Sequence, residues 1–127
     1  MQVKIDTKEK FHVITIIESR ITAIMTADLQ NSLGAFLQKE VKNLILNMSH
    51  VEGIDLEGAE ALIKIQQSFY ENNASFVVCE LQPGVEQFLD NEQVLEILSA
   101  TPTESEAWDI VQMEEIEREL FDNEEER

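Results

Sequence analysis

Residues 44–62 read LILNMSHVEGIDLEGAEAL, and this stretch decides the fold. Residues 43–48 form a short apolar run that is typical of a buried strand. Gly53 marks a turn, and Asp55 is a favourable residue for capping the start of a helix. After Asp55, small and apolar residues fall on one helical face, and Glu60 and Lys64 fall on the other. A buried strand, a turn and a capped helix form the repeating unit of a parallel α/β sheet.

The segments on both sides continue this alternation. Strands are predicted at 3–5, 11–18 and 75–79, with a last short one after 98, because β-branched residues alternate or cluster there. Helices are predicted at 26–39, 55–71, 83–89 and 104–121, and their starts carry Thr26, Asp55, Pro83 and the pair Thr103 and Glu106. The order predicts an α/β fold: a mainly parallel mixed sheet of about five strands, with about four helices chiefly on one face.

The charge of the chain restricts its partners. The sequence has 26 acidic residues against nine lysines and arginines, a net charge of -17. Nucleic acid and anionic membrane surfaces are disfavoured, because binding to phosphates requires clustered basic residues. Residues 104–127 alone hold eleven acidic residues and two arginines. This acidic end is either a solvated, solubilising face or a surface for a specific basic partner.

The cysteine content, the apolar runs and the motifs of the sequence restrict the protein's cellular location and its possible catalytic chemistry. Cys79 is the single cysteine, so we expect no disulfide framework. We expect a reducing, cytoplasmic location instead. We expect no signal peptide and no membrane insertion, since no apolar run is long enough. The sequence has no Gly-rich phosphate loop and no nucleophile elbow. His12, His50 and Cys79 have no other ligand at the spacing of a metal site. We therefore expect neither an enzyme nor a cofactor or metal.

The segment around Asp55 resembles the signature of STAS domains, the family of anti-sigma factor antagonists. In that signature, a strand ending in Leu-Asp-Leu-Ser is followed by Val and then by Ile/Met-Asp-Ser-Ser-Gly. Here Ser49, Asp55 and Gly58 match. The resemblance extends over about residues 1–111 and includes residues 20–22 and 82–85. It implies a STAS-like fold and a non-catalytic, transcription-regulating interaction module of bacterial type, whose partner is an anti-sigma-type kinase or another STAS-binding protein.

The departures from this signature bear on regulation. The resemblance places the phosphoacceptor serine at Glu57, and Leu56 replaces the serine before it. Thr22 stands where the family often has an acid that contacts the kinase, and Asn47 replaces the acid of the strand. Glu57 cannot accept a phosphate, so we predict no switching by phosphorylation at this site. Its one negative charge either partly imitates phosphoserine, which carries about -1.5 to -2, or simply suits the first turn of a helix.

Apolar residues near this site define a candidate partner-binding surface. Ile24, Met25, Met48 and Leu56 lie in or beside the loops at this end of the predicted sheet, and they either pack in the core or face a partner. The predicted site comprises Thr22, Ile24, Met25, Asp55, Leu56, Glu57, Gly58, Glu60 and Ile63. Alternatives to the antagonist-like module are an accessory STAS subunit of a transporter ATPase and a small-ligand sensor.

The C-terminal segment goes beyond the STAS-like domain. We assign 1–111 to that domain and 112–127 to an acidic helix extension and tail. Met113, Ile116 and Leu120 form an apolar stripe along this helix. The stripe either covers the domain's own sheet or serves for homodimerisation or for docking of a partner.

Overall fold

The computed structural model describes residues 1–125, and its elements follow the predicted alternation. Seven strands and four α-helices occur in this part of the chain, in the order β1 (Val3–Thr7), β2 (Phe11–Ile16), β3 (Arg20–Ile21), α1 (Thr26–Gly34), β4 (Asn43–Asn47), β5 (Gly53–Ile54), α2 (Leu56–Glu71), β6 (Phe76–Cys79), α3 (Pro83–Asn91), β7 (Ala100–Thr101) and α4 (Glu104–Glu125). Single 3₁₀ turns at Ala23–Met25 and Ala35–Gln38 flank α1. The predicted helix at 26–39 is therefore an α-helix that tightens into a 3₁₀ turn over its last residues.

The main sheet is mixed but mainly parallel. Its five strands lie in the order β1-β2-β4-β6-β7, and a separate two-stranded ribbon pairs β3 with β5. The β1–β2 pair is antiparallel, whereas β2–β4, β4–β6 and β6–β7 are all parallel. The predicted fold class is confirmed, with five strands in the main sheet and four α-helices in the described part of the chain. The two-residue strands β3 and β5 are additional, and β5 lies where Gly53 predicts a turn.

The two faces of the sheet are covered unequally. Helices α1, α2 and α3 pack on one face over a large apolar cluster that includes Ile14, Leu46, Leu62 and Phe69. Helix α4 lies on the other face, where Ala107 and Val111 join residues of β2, β4 and β6 in a smaller cluster. Alternation along the strands explains this division, because successive side chains point to opposite faces.

The ends of α2 follow local sequence signals. Asp55 is the N-cap, and its Oδ1 accepts the N–H of Gly58 at 2.8 Å, as predicted. At the other end Asn73 has a φ of 58°, and the N–H of Ala74 returns to the carbonyl of Phe69 at 2.9 Å. This closure is a Schellman motif, for which asparagine is the best substitute for glycine.

One predicted cap is wrong. Thr26 is the first residue of α1 and not its N-cap, because the turn Ala23–Met25 runs directly into the helix. The Thr26 hydroxyl instead donates to the carbonyl of Ala23 at 3.0 Å. The predicted starts of α3 and α4 are correct: Pro83 is the first residue of α3, and the Thr103 hydroxyl accepts the N–H of Glu106 at 3.3 Å.

Polar contacts hold the later turns of α4 against the sheet. The buried Ser75 hydroxyl donates to Glu114 at 2.6 Å, and the Tyr70 hydroxyl donates to the same carboxylate at 2.8 Å. Arg118 pairs with Glu115 at 2.8 Å and also donates to the Asn43 amide oxygen at 3.1 Å. Burial raises the pKa of Tyr70 to about 12, and the Glu114 carboxylate contributes to the rise. These contacts join α4 to the starts of β4 and β6.

Candidate partner-binding site

The β3–β5 ribbon brings together the two loops that the sequence assigned to the site. The ribbon is parallel, with Arg20 beside Gly53 and Ile21 beside Ile54. The N–H of Asp55 donates to the carbonyl of Ile21 at 3.1 Å, which continues the pairing to the start of α2. The 3₁₀ turn Ala23–Met25 therefore lies in contact with α2, at the end of the sheet where β2 and β4 finish.

Asp55 joins these two loops through both of its carboxylate oxygens. Oδ1 caps α2 by accepting the Gly58 N–H at 2.8 Å, and Oδ2 accepts the Ala23 N–H at 2.9 Å. Ser, Thr and Asn would also cap the helix, but none of them has two acceptor oxygens on its side chain. An aspartate is therefore required here to fix the 3₁₀ turn against the helix.

Gly58 permits the close approach of the ribbon to α2. A Cβ at this position would lie 3.0 Å from the carbonyl oxygen of Ile21 and 3.1 Å from Cγ1 of Ile54. Both distances are tighter than ordinary van der Waals contact, so a side chain would push the ribbon away from the helix. The match of Gly58 to the signature thus has a steric cause in this chain.

The surface above this framework is apolar and acidic. Ile24, at the tip of the 3₁₀ turn, is 94% exposed, and Leu56, at the start of α2, is 44% exposed. Glu57 and Glu60 are exposed on the adjoining surface of α2, and these two acids line a shallow depression of about 260 Å³ with Thr26 and Gln30 of α1 and Ala61 and Lys64 of α2. An isoleucine exposed to this degree contributes nothing to the core of its own domain.

The remaining predicted residues are less exposed. Thr22 and Met25 are half-buried, and so is Ile63, which packs against the large apolar cluster. Ile63 lies on the same face of α2 as Leu56 and Glu60, two turns from the start of the helix. Met48 is fully buried, so it belongs to the core and not to the surface.

Glu57 lies at the second residue of α2, in its first turn. This position is next to the free N–H groups and the positive end of the helix dipole, where a negative charge is stabilised. Glu57 needs no partner side chain to be favourable there. Both hypotheses for Glu57 therefore fit its position: a first-turn residue and a fixed substitute for a phosphorylated serine.

The structure explains the departure at Asn47. The Asn47 amide donates to Glu104 of α4 at 3.1 Å, and its oxygen accepts the N–H of Ser49 at 2.9 Å. An aspartate could not donate to Glu104 and would repel it. The same carboxylate of Glu104 accepts the indole N–H of Trp108 at 3.2 Å. Asn47 thus fixes the start of α4 to the end of β4.

Two residues that make contacts near this end of the sheet were not predicted from the sequence. Glu80 follows β6 with a φ of 58°, and its carboxylate accepts the N–H of Glu104 at 2.7 Å. The Gln82 amide donates to the carbonyl of Ser49 at 2.8 Å. Neither contact has a local sequence signal, because each joins residues more than twenty positions apart.

His12 and Cys79 are both buried, whereas His50 is exposed in a turn. His12 is buried, with Nδ1 2.9 Å from the Thr7 hydroxyl and Nε2 2.8 Å from the Val41 carbonyl. Burial, followed by the charges of Glu104 and Glu80, raises the pKa of Cys79 to about 12. Among the described side chains of residues 1–125, no cluster of three or more His, Cys, Asp or Glu could hold a metal ion. None of the helices in that part of the chain has the length and apolar character needed to cross a membrane.

The chain belongs to the STAS domain family, since the model of that family matches residues 2–107. Comparison with curated proteins gave no significant match. Among solved structures, an anti-sigma factor antagonist from Mycobacterium paratuberculosis is 16% identical with a TM-score of 0.74, over 87% of this chain and 93% of the other.

Two further structures share the fold. One is the RsbS protein of Moorella thermoacetica with a serine-to-glutamate substitution, which is 18% identical with a TM-score of 0.72 over 88% and 96% of the two chains. The other is the Bacillus anti-sigma factor antagonist SpoIIAA in its unphosphorylated form, which is 15% identical with a TM-score of 0.68 over 87% and 96%. At this identity the likeness is one of fold.

Proposed function

We propose that the chain is a non-catalytic, cytoplasmic regulatory module that binds a protein partner through the surface formed by the 3₁₀ turn Ala23–Met25 and the first two turns of α2. The observation that carries this proposal is the exposure of Ile24 and Leu56 on a rigid framework. Exposed apolar side chains ringed by polar residues are typical of protein interfaces. The framework is rigid because Asp55 and the ribbon fix both loops.

The charge at Glu57 gives this module one permanent state. The Bacillus anti-sigma factor antagonist SpoIIAA occurs in a phosphorylated and an unphosphorylated form. A phosphoserine at the start of a helix adds negative charge at the position that Glu57 occupies here. The chain therefore corresponds to the charged form at all times. It binds a partner that accepts that form, and it binds an anti-sigma-type kinase weakly.

Removal of the Glu57 charge tests this proposal. Glu57→Gln keeps the size and the helical position of the side chain but removes its charge. We expect the affinity for an anti-sigma-type kinase to rise about 10- to 100-fold, which corresponds to one or two charge-assisted contacts. Titration calorimetry at a fixed salt concentration measures the affinity, because exposed charges are screened by salt.

Glu71→Gln is the matched control, since it removes the same charge from the exposed last residue of the same helix. Its affinity for the kinase should equal that of the native chain. Equal affinities for the native chain and Glu57→Gln would leave Glu57 as a helix-start residue only. After incubation with the kinase, mass spectrometry should find no stoichiometric phosphate on 53–58 or on Ser49. Phosphate on Ser49 would contradict the fixed state.

A further inference from the structure

Helix α4 carries a second apolar surface that its own domain does not cover. Met113, Ile116 and Leu120 are 57%, 57% and 59% exposed, and we call these three residues the outer stripe. At 100° per residue they lie on the side of the helix opposite Val111, which packs on the sheet. No rearrangement of a side chain can bring the outer stripe into the core, because α4 lies between it and the sheet.

The helix that carries the outer stripe is firmly placed. Glu114, Glu115 and Arg118 hold the same turns to Ser75 and Asn43 through hydrogen bonds of 2.6–3.1 Å. An isolated helix with this density of acidic residues would be unstable, because neighbouring like charges repel. The inner polar contacts therefore hold an apolar stripe in a fixed position facing solvent.

The charge around the outer stripe selects its partner. Asp109 and Glu117 are exposed on the same side of α4 and Glu119 is exposed on its flank, whereas Arg118 faces inward and pairs with Glu115. A second copy of the chain would bring another acidic α4 against the first. Residues 104–127 hold eleven acidic residues against two arginines, so two copies would repel each other here. A basic partner would find both apolar contact and opposite charge.

We propose that the outer stripe is a docking surface for a basic amphipathic helix of another protein, with leucine-like residues at helical spacing and Lys or Arg beside them. This surface lies on the opposite face of the sheet from Ile24 and Leu56. The two surfaces can therefore be occupied together, and the chain can connect two partners.

A synthetic peptide tests the proposal on the full chain. The probe is a Leu/Lys helix of about 18 residues, or five turns, with its leucines on one face. The control peptide has the same composition with the leucines scattered around the helix. NMR of the ¹⁵N-labelled chain should show shifts at the outer stripe with the probe. The probe should bind at least about tenfold more tightly than the control peptide, because burial of a single leucine side chain raises the affinity by about that factor.

The triple variant Met113→Ser, Ile116→Ser, Leu120→Ser should lose at least about tenfold in affinity for the probe at unchanged thermal stability. Ile97→Ser is the matched control, because Ile97 is also 57% exposed but lies after α3. Equal binding of the two peptides, unchanged binding by the triple variant, or shifts centred on Ile24 and Leu56 would overturn the proposal. Sedimentation that shows a dimer of the native chain, lost in the triple variant, would assign the stripe to a second copy and would also overturn it.

Discussion

The two faces of the sheet are held by different kinds of contact. On the face of α1–α3, apolar side chains such as Leu62 and Phe69 are completely buried. On the face of α4, apolar burial ends at Val111, and the next two turns are held by hydrogen bonds to Ser75, Asn43 and Tyr70. A helix that packs through apolar side chains buries its apolar face. A helix that is held by hydrogen bonds can leave its apolar side chains exposed to a partner. That difference explains how one domain can have a full core and a helix with an exposed outer stripe.

The largest expected effect is a difference in the free energy of unfolding between substitutions on the two faces. Leu62→Ala removes a fully buried side chain of α2 and should lower the free energy of unfolding by about 2–5 kcal/mol. Ile116→Ala removes a side chain of similar size from the outer stripe and should change it by less than about 0.5 kcal/mol. Urea unfolding followed by circular dichroism measures both. A loss for Ile116→Ala as large as that for Leu62→Ala would mean that the outer stripe is covered.

A smaller effect tests the close packing of the ribbon on α2. Gly58→Ala should destabilise the chain by about 1–3 kcal/mol, because the new Cβ meets Ile21 and Ile54. Gly34→Ala is the matched control at the end of α1, where a Cβ would meet nothing within 4 Å. The control should raise stability by about 0.5–1 kcal/mol, since alanine is the better helix former. Thermal unfolding should thus give opposite signs, and equal signs would refute the steric account of Gly58.

The smallest effect is a pH dependence on the α4 face. Burial alone would raise the pKa of Glu115, but hydrogen bonds from Arg118 and Asn43 and the charges of Arg118 and Lys10 outweigh it and lower the pKa below 4.5. A lowered pKa in the folded state stabilises the chain above the unfolded value, and this stability is lost as the pH falls through the lowered pKa.

Glu115→Gln should therefore lose less stability than the native chain on acidification below pH 4.5. Glu117→Gln, which removes an acid from the exposed side of α4, serves as the control and should follow the native curve. Parallel curves for all three proteins would mean that the Glu115–Arg118 pair contributes nothing to stability.

Local patterns predicted most of the fold. The five strands of the main sheet, the Asp55 cap, Pro83 at the start of α3 and the Thr103–Glu106 cap all follow from side chains within a few residues of each other. The two-residue strands β3 and β5 do not, and β5 lies where Gly53 predicts a turn. Thr26 was misassigned because a 3₁₀ turn precedes α1, and no residue pattern distinguishes such a turn from the end of a loop. Helix boundaries are sensitive to this kind of tightening.

Long-range polar contacts could not be predicted. The bond from the Ala23 N–H to Asp55 spans 32 positions, and the bond from Arg118 to Asn43 spans 75. The sequence predicts Asp55 as a helix cap and as the aspartate of the STAS signature, but its role in fixing the 3₁₀ turn depends on the ribbon that pairs Ile21 with Ile54. The exposure of Ile24 and the burial of Met48 likewise depend on how the loops pack, although both are apolar residues at the same end of the sheet.

Site-specific photo-cross-linking in the native cell tests the central claim most directly, namely that the 3₁₀ turn and the start of α2 form the partner-binding surface. The cross-linker p-benzoylphenylalanine is placed at Ile24 in one variant and at the exposed Ile97 in the other. The account predicts a discrete cross-linked protein for position 24, its yield reduced by a second change, Leu56→Ser, and no such product for position 97. The same products at both positions, or none at position 24, would contradict it.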